Sequence, residues 1–268
     1  MTTRAPAGQL PRVLAVPAVL GLAMLVAPLV ALVARVDWTT VWGDVTAPET
    51  LEALWLSVRT ALIATAICLV LGVPLAVLIA RSGRGIASAL RALVTIPLVL
   101  PPMVGGVALL FLFGRSGPVG AWLAERGIEL PFTTAAVVLA QVFVALPFLV
   151  LALEGSLRAT GTDYELAAAG LGAGRWRILW RVTLPLAAPG LVAGTVLCFA
   201  RAVGEFGATA LFAGNAPGVT RTMPLAIYTA FNGSGLDQGP AVALSLLLLV
   251  TAVAVLLLVR AWRPGAMR

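Results

Sequence analysis

The chain has 268 residues, of which 60% are hydrophobic and only 11% are charged. Soluble domains average about 25% charged residues, and about 20 apolar residues suffice for one membrane crossing. The composition therefore excludes an ordinary soluble protein and predicts an all-α polytopic membrane protein that forms one transmembrane domain over residues 1–268. The net charge is +7, but the basic residues, all arginines, flank the apolar runs. This placement is typical of topology signals and argues against nucleic-acid binding.

The residue types that most often carry catalysis or metal binding are scarce. The chain has no histidine, so the commonest general base is missing. Cys68 and Cys198 lie inside apolar runs and form no CxxC pair, so we predict buried thiols and neither a metal site nor a disulfide framework. An enzyme is disfavoured. An intramembrane enzyme stays open as an alternative, with four charged residues available to it: Arg59, Glu154, Arg201 and Glu205.

Six apolar spans are predicted in chain order, at about 13–34, 53–80, 92–113, 133–154, 185–209 and 240–260. Arg4 and Arg12 precede the first span, as in a secretory signal. However, its roughly 22 apolar residues exceed a typical signal core, and no small-x-small cleavage site follows. We therefore expect a retained first helix after a cytoplasmic tail, 1–12. In the longest outside loop, 222–231 is apolar enough to form a short interfacial helix.

The arginines also predict the orientation. If the N-terminus is cytoplasmic, four arginines lie outside: Arg35, Arg115, Arg126 and Arg221. Twelve then lie inside: Arg4, Arg12, Arg81, Arg84, Arg91, Arg158, Arg175, Arg177, Arg181, Arg260, Arg263 and Arg268. Because loops rich in arginine stay in the cytoplasm, we expect both termini, and the loop between the fourth and fifth spans, on the cytoplasmic side.

Proline and glycine interrupt several spans. The sequences are GVP at 72–74, IPLVLPPMVGG at 96–106 and LPLAAPGLVAG at 184–194. Such breaks are tolerated in membranes where neighbouring helices or a water-lined cavity satisfy the freed backbone groups. Two interpretations stay open: ordinary kinks of a helix bundle, or a stretch around Pro101 and Pro102 that lines a pathway.

The cytoplasmic loop has the sequence DYELAAAGLGAGRWRILWRVTLPLAAPG, 163–190. A short helix is predicted over 163–170, because Asp163 can cap it and Glu165 favours its first turn. Three glycines then break or bend the chain: Gly170, Gly172 and Gly174.

A second helical piece follows the glycines. Trp176 and Trp180 lie one turn apart on it, and Arg177 and Arg181 lie one turn apart on a neighbouring strip. Pro185 can begin the fifth span, where its missing N–H costs little. We expect a helix–turn–helix against the cytoplasmic face, since tryptophan suits that interface and arginine that side.

The length and composition of this loop point to a docking surface. A plain connector between antiparallel helices needs only about 2–8 residues, whereas this loop uses roughly thirty, many of them small. A loop that only sets topology would explain the arginines but not the placement of alanine and glycine. We therefore predict that another protein docks here.

The loop resembles the cytoplasmic EAA loop of permease subunits of binding-protein-dependent ABC importers. In that family a glycine follows four positions after the last alanine of the triplet, and a hydrophobic-x-Leu-Pro tail comes later. Here Ala167 and Ala168 lead to Gly172, and 182–185, VTLP, follow at the family's spacing. The chain departs from the pattern in one place, because Leu166 occupies the glutamate position and Glu165 stands one residue earlier.

The resemblance implies the type I ABC importer permease fold, with six transmembrane helices and a coupling helix that fits a groove on an ATP-binding subunit, present in two copies. ATP and magnesium would be bound by that partner and no cofactor by this chain, in agreement with the absence of a GxxxxGK[ST] phosphate loop. The residues implied in coupling are Glu165, Ala167, Ala168, Gly172, Arg175, Leu184 and Pro185.

A further signal is FARAVGEFGATALFAGN, 199–215. Arg201 and Glu205 stand four apart, so they can meet on one helix face, and a charge inside a span costs about 2.5–3.5 kcal/mol. Two interpretations stay open: a pair that only neutralises itself, or residues of a translocation path or gate, with Gly204 and Gly207 allowing close helix approach.

This segment resembles the GEFGAT region of molybdate, tungstate and sulfate permeases, and 57–81 and 97–106 resemble the same group, so the resemblance covers about 50–260. It implies import of a tetrahedral divalent oxyanion, delivered by an extracytoplasmic binding protein, across the bacterial cytoplasmic membrane. Molybdate and two copies of the permease are the expectation; tungstate, sulfate or thiosulfate import and a non-transporting membrane scaffold are the alternatives. The candidate path residues are Pro101, Pro102, Arg201, Gly204, Glu205, Phe206, Gly207 and Thr209.

Overall fold

The computed structural model describes residues 12–233 and 239–261. Within these ranges the regular elements are helices and no strand occurs, which confirms the all-α prediction. The predicted tail before Arg12, and the topology arginines Arg4, Arg263 and Arg268, lie outside the described residues.

The helices follow one another in a simple order after a 3₁₀ turn at Arg12–Leu14. They are α1 (Ala15–Ala34), α2 (Val41–Thr46), α3 (Pro48–Arg81), α4 (Arg84–Val99), α5 (Pro102–Phe113), α6 (Pro118–Ala124), α7 (Thr134–Thr160), α8 (Asp163–Gly170), α9 (Arg175–Ile178), a π-helical stretch (Leu179–Thr183), α10 (Leu184–Leu186), α11 (Ala188–Val203), α12 (Gly207–Phe212), α13 (Met223–Gly233) and α14 (Gly239–Ala261).

Within the residues that the structure describes, three helices are long and apolar enough to cross a membrane in one piece: α1, α3 and α7, with 20, 34 and 27 residues. They confirm the predicted spans at 13–34, 53–80 and 133–154 as helices. Helix α3 begins before the predicted span, since Pro48 and Glu49 suit a first helical turn. Helix α14 occupies the predicted sixth span, but its described apolar part, Gly239–Ala254, is shorter than a full crossing. The count of six spans stays a prediction.

The predicted third span is not one helix. Helices α4 and α5 meet at 109° around Leu100 and Pro101. Both residues have extended backbones, with ψ of 135° and 134°, and both precede a proline. Because a following proline disfavours the helical region, two consecutive residues are held out of the helix. The break lies within 96–106, where proline and glycine predicted an interruption of the span, and it separates two helices instead of kinking one.

The predicted fifth span, 185–209, is broken as well. Helix α11 starts at Ala188, with Pro189 in its first turn, and the preceding segment Arg175–Leu186 meets it at 73°. Helix α11 ends at Val203, and α12 resumes at Gly207 after Phe206, whose φ and ψ are −124° and −56°. The expectation that Pro185 begins the span was thus wrong by three residues. Pro185 instead follows the π-helical stretch, where its ring would crowd the carbonyl four residues earlier.

Helices α3, α7 and α11 form the centre of the core. Small side chains meet there, among them Ala61, Ala64, Cys68, Ala145, Cys198 and Ala202. Without a hydrophobic driving force between helices in lipid, such residues allow the close packing that holds spans together. Both cysteines are fully buried free thiols, as the sequence predicted.

Helices α1 and α13 differ in how closely they pack against the bundle. No described residue of α1 is buried, so this helix lies at the edge of the bundle. Helix α13 confirms the short helix predicted over 222–231, and its first N–H, at Met223, donates to Ser57 Oγ of α3 at 2.7 Å.

Candidate functional site

The loop between α7 and α11 contains the short helix that the sequence predicted. Helix α8 spans Asp163–Gly170 and has no buried residue. Thr162 is its N-cap, without a capping side-chain hydrogen bond, so the expectation that Asp163 caps the helix was wrong by one residue. Asp163 and Glu165 instead place two negative charges in the first turn, where the helix dipole favours them.

A Schellman turn at Gly172 ends α8. Gly172 has a φ of +81°, and its N–H donates to the Ala169 carbonyl at 2.9 Å, while the N–H of Ala173 donates to the Ala168 carbonyl at 3.0 Å. Glycine is favoured there because L side chains rarely adopt positive φ. The bend predicted from the three glycines is made by Gly172, since Gly174 has an ordinary φ of −68°.

Glu165 joins three parts of the cytoplasmic side. Its Oε1 pairs with the Arg81 guanidinium at the end of α3, and it also accepts a 2.8 Å hydrogen bond from Thr183 Oγ1 in the π-helical stretch. Arg81 Nη2 additionally donates to the Gly161 carbonyl at 3.3 Å. The sequence singled out Glu165 but missed both partners, because Arg81 is 84 positions away.

Three large apolar side chains in and directly after α8 are exposed. Leu171 is 89% exposed, and Tyr164 and Leu166 are also exposed. Of the other residues implied in coupling, Ala167, Gly172, Arg175 and Pro185 are exposed, Ala168 is half-buried and Leu184 is buried. Tyr164 and Leu166 stand two positions apart in α8 and therefore lie on different faces of the helix.

A second candidate site surrounds the break between α11 and α12. Arg201 Nη1 lies 2.6 Å from Glu205 Oε2, so the predicted pair forms, as an ion pair without hydrogen-bond alignment. Glu205 is 1% exposed and the Arg201 side chain 27%. The other carboxylate oxygen, Oε1, accepts the N–H of Ala208 at 2.8 Å. One buried carboxylate therefore supplies an acceptor to the first turn of α12 and a countercharge to Arg201.

The two broken spans meet at this site. A Cβ built on Gly207 would lie 2.8 Å from Cβ of Pro102, and one built on Gly106 would lie 2.9 Å from the Ala208 carbonyl oxygen. Residues that the sequence placed on a common path, Pro102 and Gly207, are thus in direct contact. Gly204 makes no such approach, because a Cβ there would meet only the Ala200 carbonyl of its own helix at 3.5 Å. Within the described residues the close approach expected at Gly204 is not seen, and Gly204 is the C-cap of α11.

The remaining candidates lie around the same break. The ring of Phe206 is 5.1 Å from that of Tyr228 in α13, and Pro101 is exposed beside the α4–α5 break. Thr209 is fully buried, and its hydroxyl has no hydrogen-bond partner among the described residues. The same holds for the side-chain amide of Gln141 in α7, which the sequence analysis missed because one glutamine in an apolar run gives no pattern.

A second buried carboxylate, that of Glu154, lies where α3, α4 and α7 meet. Glu154 in α7 accepts from Arg91 Nε of α4 at 3.1 Å and from Arg158 Nε at 2.7 Å. Arg158 Nη2 also donates to the Ile79 carbonyl of α3 at 3.2 Å. Glu154 thus connects α3, α4 and α7. Among the described residues, no cluster of three histidine, cysteine, aspartate or glutamate side chains could hold a metal ion.

Comparison with known proteins agrees with this architecture. The family described as "Binding-protein-dependent transport system inner membrane component" matches residues 72–267. The chain therefore belongs to this family, and it is a multi-pass membrane protein. Two structures show the type I ABC importer permease fold. One is a bacterial alginate ABC transporter with its periplasmic protein, at TM-score 0.69 and 16% identity, covering 95% of this chain and 96% of that chain. The other is the MetNI methionine ABC transporter, at TM-score 0.61 and 23% identity, covering 79% and 94%.

Closer relatives were found by sequence. The chain is 52% identical over 259 residues to the molybdenum transport system permease protein ModB of Mycobacterium tuberculosis, covering 97% of each chain. It is 41% identical over 191 residues to ModB of Escherichia coli, covering 71% of this chain and 83% of that one. It is 39% identical over 180 residues to the sulfate transport system permease protein CysW of E. coli, covering 67% of this chain and 62% of that one.

Proposed function

We propose that this chain is the membrane-spanning permease subunit of an ABC importer that moves molybdate into the cytoplasm. The observation that carries the proposal is the 52% identity to a molybdenum permease over 97% of both chains. The broken spans, and the pair of half-buried Arg201 with buried Glu205 beside them, give the chain a charged site within the bundle.

The proposal assigns ATP hydrolysis to a separate subunit. Two copies of an ATP-binding protein would bind ATP and magnesium and receive the exposed face of α8, while this chain binds no cofactor. The exposed Tyr164, Leu166 and Leu171 side chains supply apolar contacts to the partner. Glu165 links α8 to α3, so movement of the docked loop can be passed to a span. These residues, with the others implied in coupling, form the proposed coupling surface.

A second copy of the permease would complete the path. Arg201 is half-buried, and its only partner among the described residues is Glu205 through Nη1. Because a guanidinium has five N–H donors, most of the Arg201 donors stay available to an anion. A weakly binding path suits an importer, since tight binding would slow release. We therefore assign capture and most of the selectivity to an extracytoplasmic binding protein, and we place both termini and the coupling surface in the cytoplasm.

Sulfate or thiosulfate import is the second candidate. The observation in its favour is the 39% identity to a sulfate permease, although that similarity covers only 67% of this chain. Tungstate is chemically closer to molybdate than sulfate is. The permease site offers no feature that would distinguish tungstate from molybdate. A scaffold that keeps the fold without transport is the remaining alternative.

The deciding experiment is ATP-dependent uptake of labelled molybdate by vesicles that contain this chain, its ATP-binding subunit and its binding protein. Uptake that resists excess sulfate and is abolished by tungstate is the expected result. Equal competition by sulfate would transfer the assignment to a general or sulfate-type importer. Absence of uptake by an assembled complex that hydrolyses ATP would show that the substrate class is wrong.

A further inference from the structure

The segment Arg175–Leu186, here called the surface segment, turns sharply away from the axis of α11. It consists of α9, the π-helical stretch and α10, and it makes an angle of 73° with α11. Membrane helices tilt on average about 20° from the bilayer normal. A segment nearly perpendicular to such a helix therefore lies along the membrane surface instead of entering the apolar interior.

The depth of the surface segment follows from its contacts with α3. Arg81, the last residue of α3, pairs with Glu165, and Glu165 accepts a hydrogen bond from Thr183 in the surface segment. Helix α3 is long and apolar enough to cross the membrane, so its final arginine marks the level at which the chain leaves the lipid. Two successive polar contacts bring the surface segment to that same level, which is the zone of the phospholipid headgroups.

One face of the surface segment is turned away from the protein. Ile178, Leu179 and Val182 are half-buried and Thr183 is buried. On the opposite face Trp176 and Trp180 are 72% and 55% exposed, with ring centroids 5.7 Å apart in an edge-to-face arrangement.

Two cations accompany the tryptophans. Arg177 and Arg181 are exposed, and neither has an ion pair or hydrogen bond in the described parts of the chain. The two tryptophans and the two arginines share an open cavity of about 610 Å³ with Arg175 and the glycines before it. Two unpaired guanidinium groups beside two exposed indole rings thus stand at headgroup level.

We propose that Trp176, Arg177, Trp180 and Arg181 form a binding site for the phosphate headgroup of an anionic phospholipid. A planar guanidinium binds phosphate oxygens through two parallel hydrogen bonds, and indole rings prefer the membrane–water interface. Basic residues at this level attract anionic lipids. An acidic groove on the ATP-binding subunit could also meet this face, but the orientation along the membrane and the depth set by Arg81 favour lipid. The site is additional to the transport function and needs only the membrane-inserted chain.

Fluorescence quenching tests the site on the purified full chain in detergent. The chain is titrated with brominated phosphatidylglycerol and, separately, with brominated phosphatidylcholine. The contribution of Trp176 and Trp180 to the fluorescence is taken as the difference between the parent and the variant Trp176→Phe/Trp180→Phe. We expect saturable quenching of this contribution at much lower concentrations of the anionic lipid.

Charge variants then assign the binding to the arginines. Arg177→Gln/Arg181→Gln is expected to weaken phosphatidylglycerol binding roughly 30-fold, because each basic residue near an anionic surface contributes about five-fold. Arg84→Gln is the control. Arg84 is exposed at the start of α4, next to the end of α3, but lies outside the surface segment. This control is expected to bind like the parent.

Two results would overturn the proposal. One is equal affinity for the anionic and the zwitterionic lipid, and the other is parental phosphatidylglycerol binding by Arg177→Gln/Arg181→Gln. If that double variant also loses its ATP-binding subunit while it binds lipid normally, the face belongs to the protein partner. The titration contains neither ATP nor oxyanion, so its outcome is independent of whether the chain imports molybdate.

Discussion

Glu205 interacts with residues on both sides of the break between α11 and α12. It accepts the N–H of Ala208 in the first turn of α12, and it pairs with Arg201 in the last turn of α11. The four-residue spacing predicted the pair with Arg201. It could not predict the bond to Ala208, because that bond requires the helix to end and restart between the two residues. The helix break and Glu205 are therefore linked, because the carboxylate accepts an N–H that becomes free where α12 starts.

Comparing Glu205→Gln with the double variant separates a structural role of Arg201 from a role in transport. Glu205→Gln leaves Arg201 without a countercharge, which we expect to cost about 3 kcal/mol, the low end for a buried pair, because Arg201 is only half-buried. Arg201→Gln/Glu205→Gln is expected to regain most of that stability but not the uptake of molybdate. Thermal unfolding of the purified chain and vesicle uptake measure the two effects. If uptake returns together with stability, the pair is structural only.

Gly172 is the residue whose backbone the coupling surface depends on most directly. Its φ of +81° disfavours any side chain, although a Cβ there would meet no atom within 4 Å. We expect Gly172→Ala to cost about 1 kcal/mol through backbone strain alone, and Gly172→Val to cost more because a β-branched residue is poorly tolerated at positive φ. Both variants should reach the membrane but import less molybdate per ATP hydrolysed.

Gly170→Ala is the matched control for this prediction. Gly170 also has open space around its Cβ position, but its φ is not positive. Alanine is favoured over glycine in a helix by up to about 1 kcal/mol, so this variant should be as stable as the parent or slightly more stable. Parental coupling ratios in both Gly172 variants would show that the bend is not part of the coupling element.

At the level of elements, hydropathy predicted where the spans lie but not where they break. The prolines and glycines at 96–106 and 184–194 predicted interruptions in the third and fifth spans. The break at Leu100 and Pro101 is one of these, since both residues precede a proline. The break at Gly204–Phe206 contains no proline and was not predicted, and its stability depends on Pro102 and Ala208, whose proximity arises only in the folded bundle.

The contact between α5 and α12 predicts a difference between two glycines that look equivalent in the sequence. Gly207→Ala would place a methyl group 2.8 Å from Pro102 Cβ, so we expect a loss of about 1–3 kcal/mol from overpacking. Gly204→Ala meets no neighbouring helix and should be tolerated. Thermal stability of the two variants in the same detergent is the measurement. Equal stability of both would show that α5 and α12 are not in contact at Gly207.

The ion pair between Glu165 and Arg81 connects the docked loop to α3. Glu165→Gln keeps an acceptor for Thr183 but removes the charge that pairs with Arg81. Because the pair is only partly buried, stability should change by less than about 1 kcal/mol, whereas the molybdate imported per ATP hydrolysed should fall several-fold.

Asp163→Asn serves as the control for Glu165. It removes the same charge from the same turn of α8, and Asp163 is exposed, with no hydrogen-bond partner in the described ranges. Its coupling ratio should equal that of the parent. A similar loss in both variants would mean that the helix needs negative charge in its first turn, not the link to Arg81.

For the whole molecule, the sequence predicted the class of protein, the long helices and the cytoplasmic loop from hydropathy, arginine placement and one motif. It did not predict which ion pairs connect the helices. Glu154 illustrates the reason: its partners Arg91 and Arg158 lie on two different helices, and Arg91 is 63 positions away. Ion pairs of this kind depend on which helix faces pack together, and a single sequence does not contain that information.

The proposed orientation can be tested by labelling. Leu171→Cys lies in the exposed coupling surface, and Glu125→Cys lies after α6 in a predicted outside loop. Native Cys68 and Cys198 are fully buried, so the background should be low. An impermeant maleimide should label Leu171→Cys in inside-out vesicles only and Glu125→Cys in right-side-out vesicles only. The reverse pattern would invert the topology.

The direct contact between α5 and α12 restricts how these two helices can move relative to each other. With Pro102 against Gly207, and Gly106 against Ala208, no long side chain lies between the two half-helices that could let them slide. They should therefore move as one rigid body, attached to α4 and α11 through two hinges, at Leu100–Pro101 and at 204–206. Rearrangements of the membrane domain would then leave the α5–α12 contact intact and be absorbed at both hinges together. Substitutions at one hinge should accordingly show non-additive effects with substitutions at the other, although the two hinges are about a hundred positions apart in the chain.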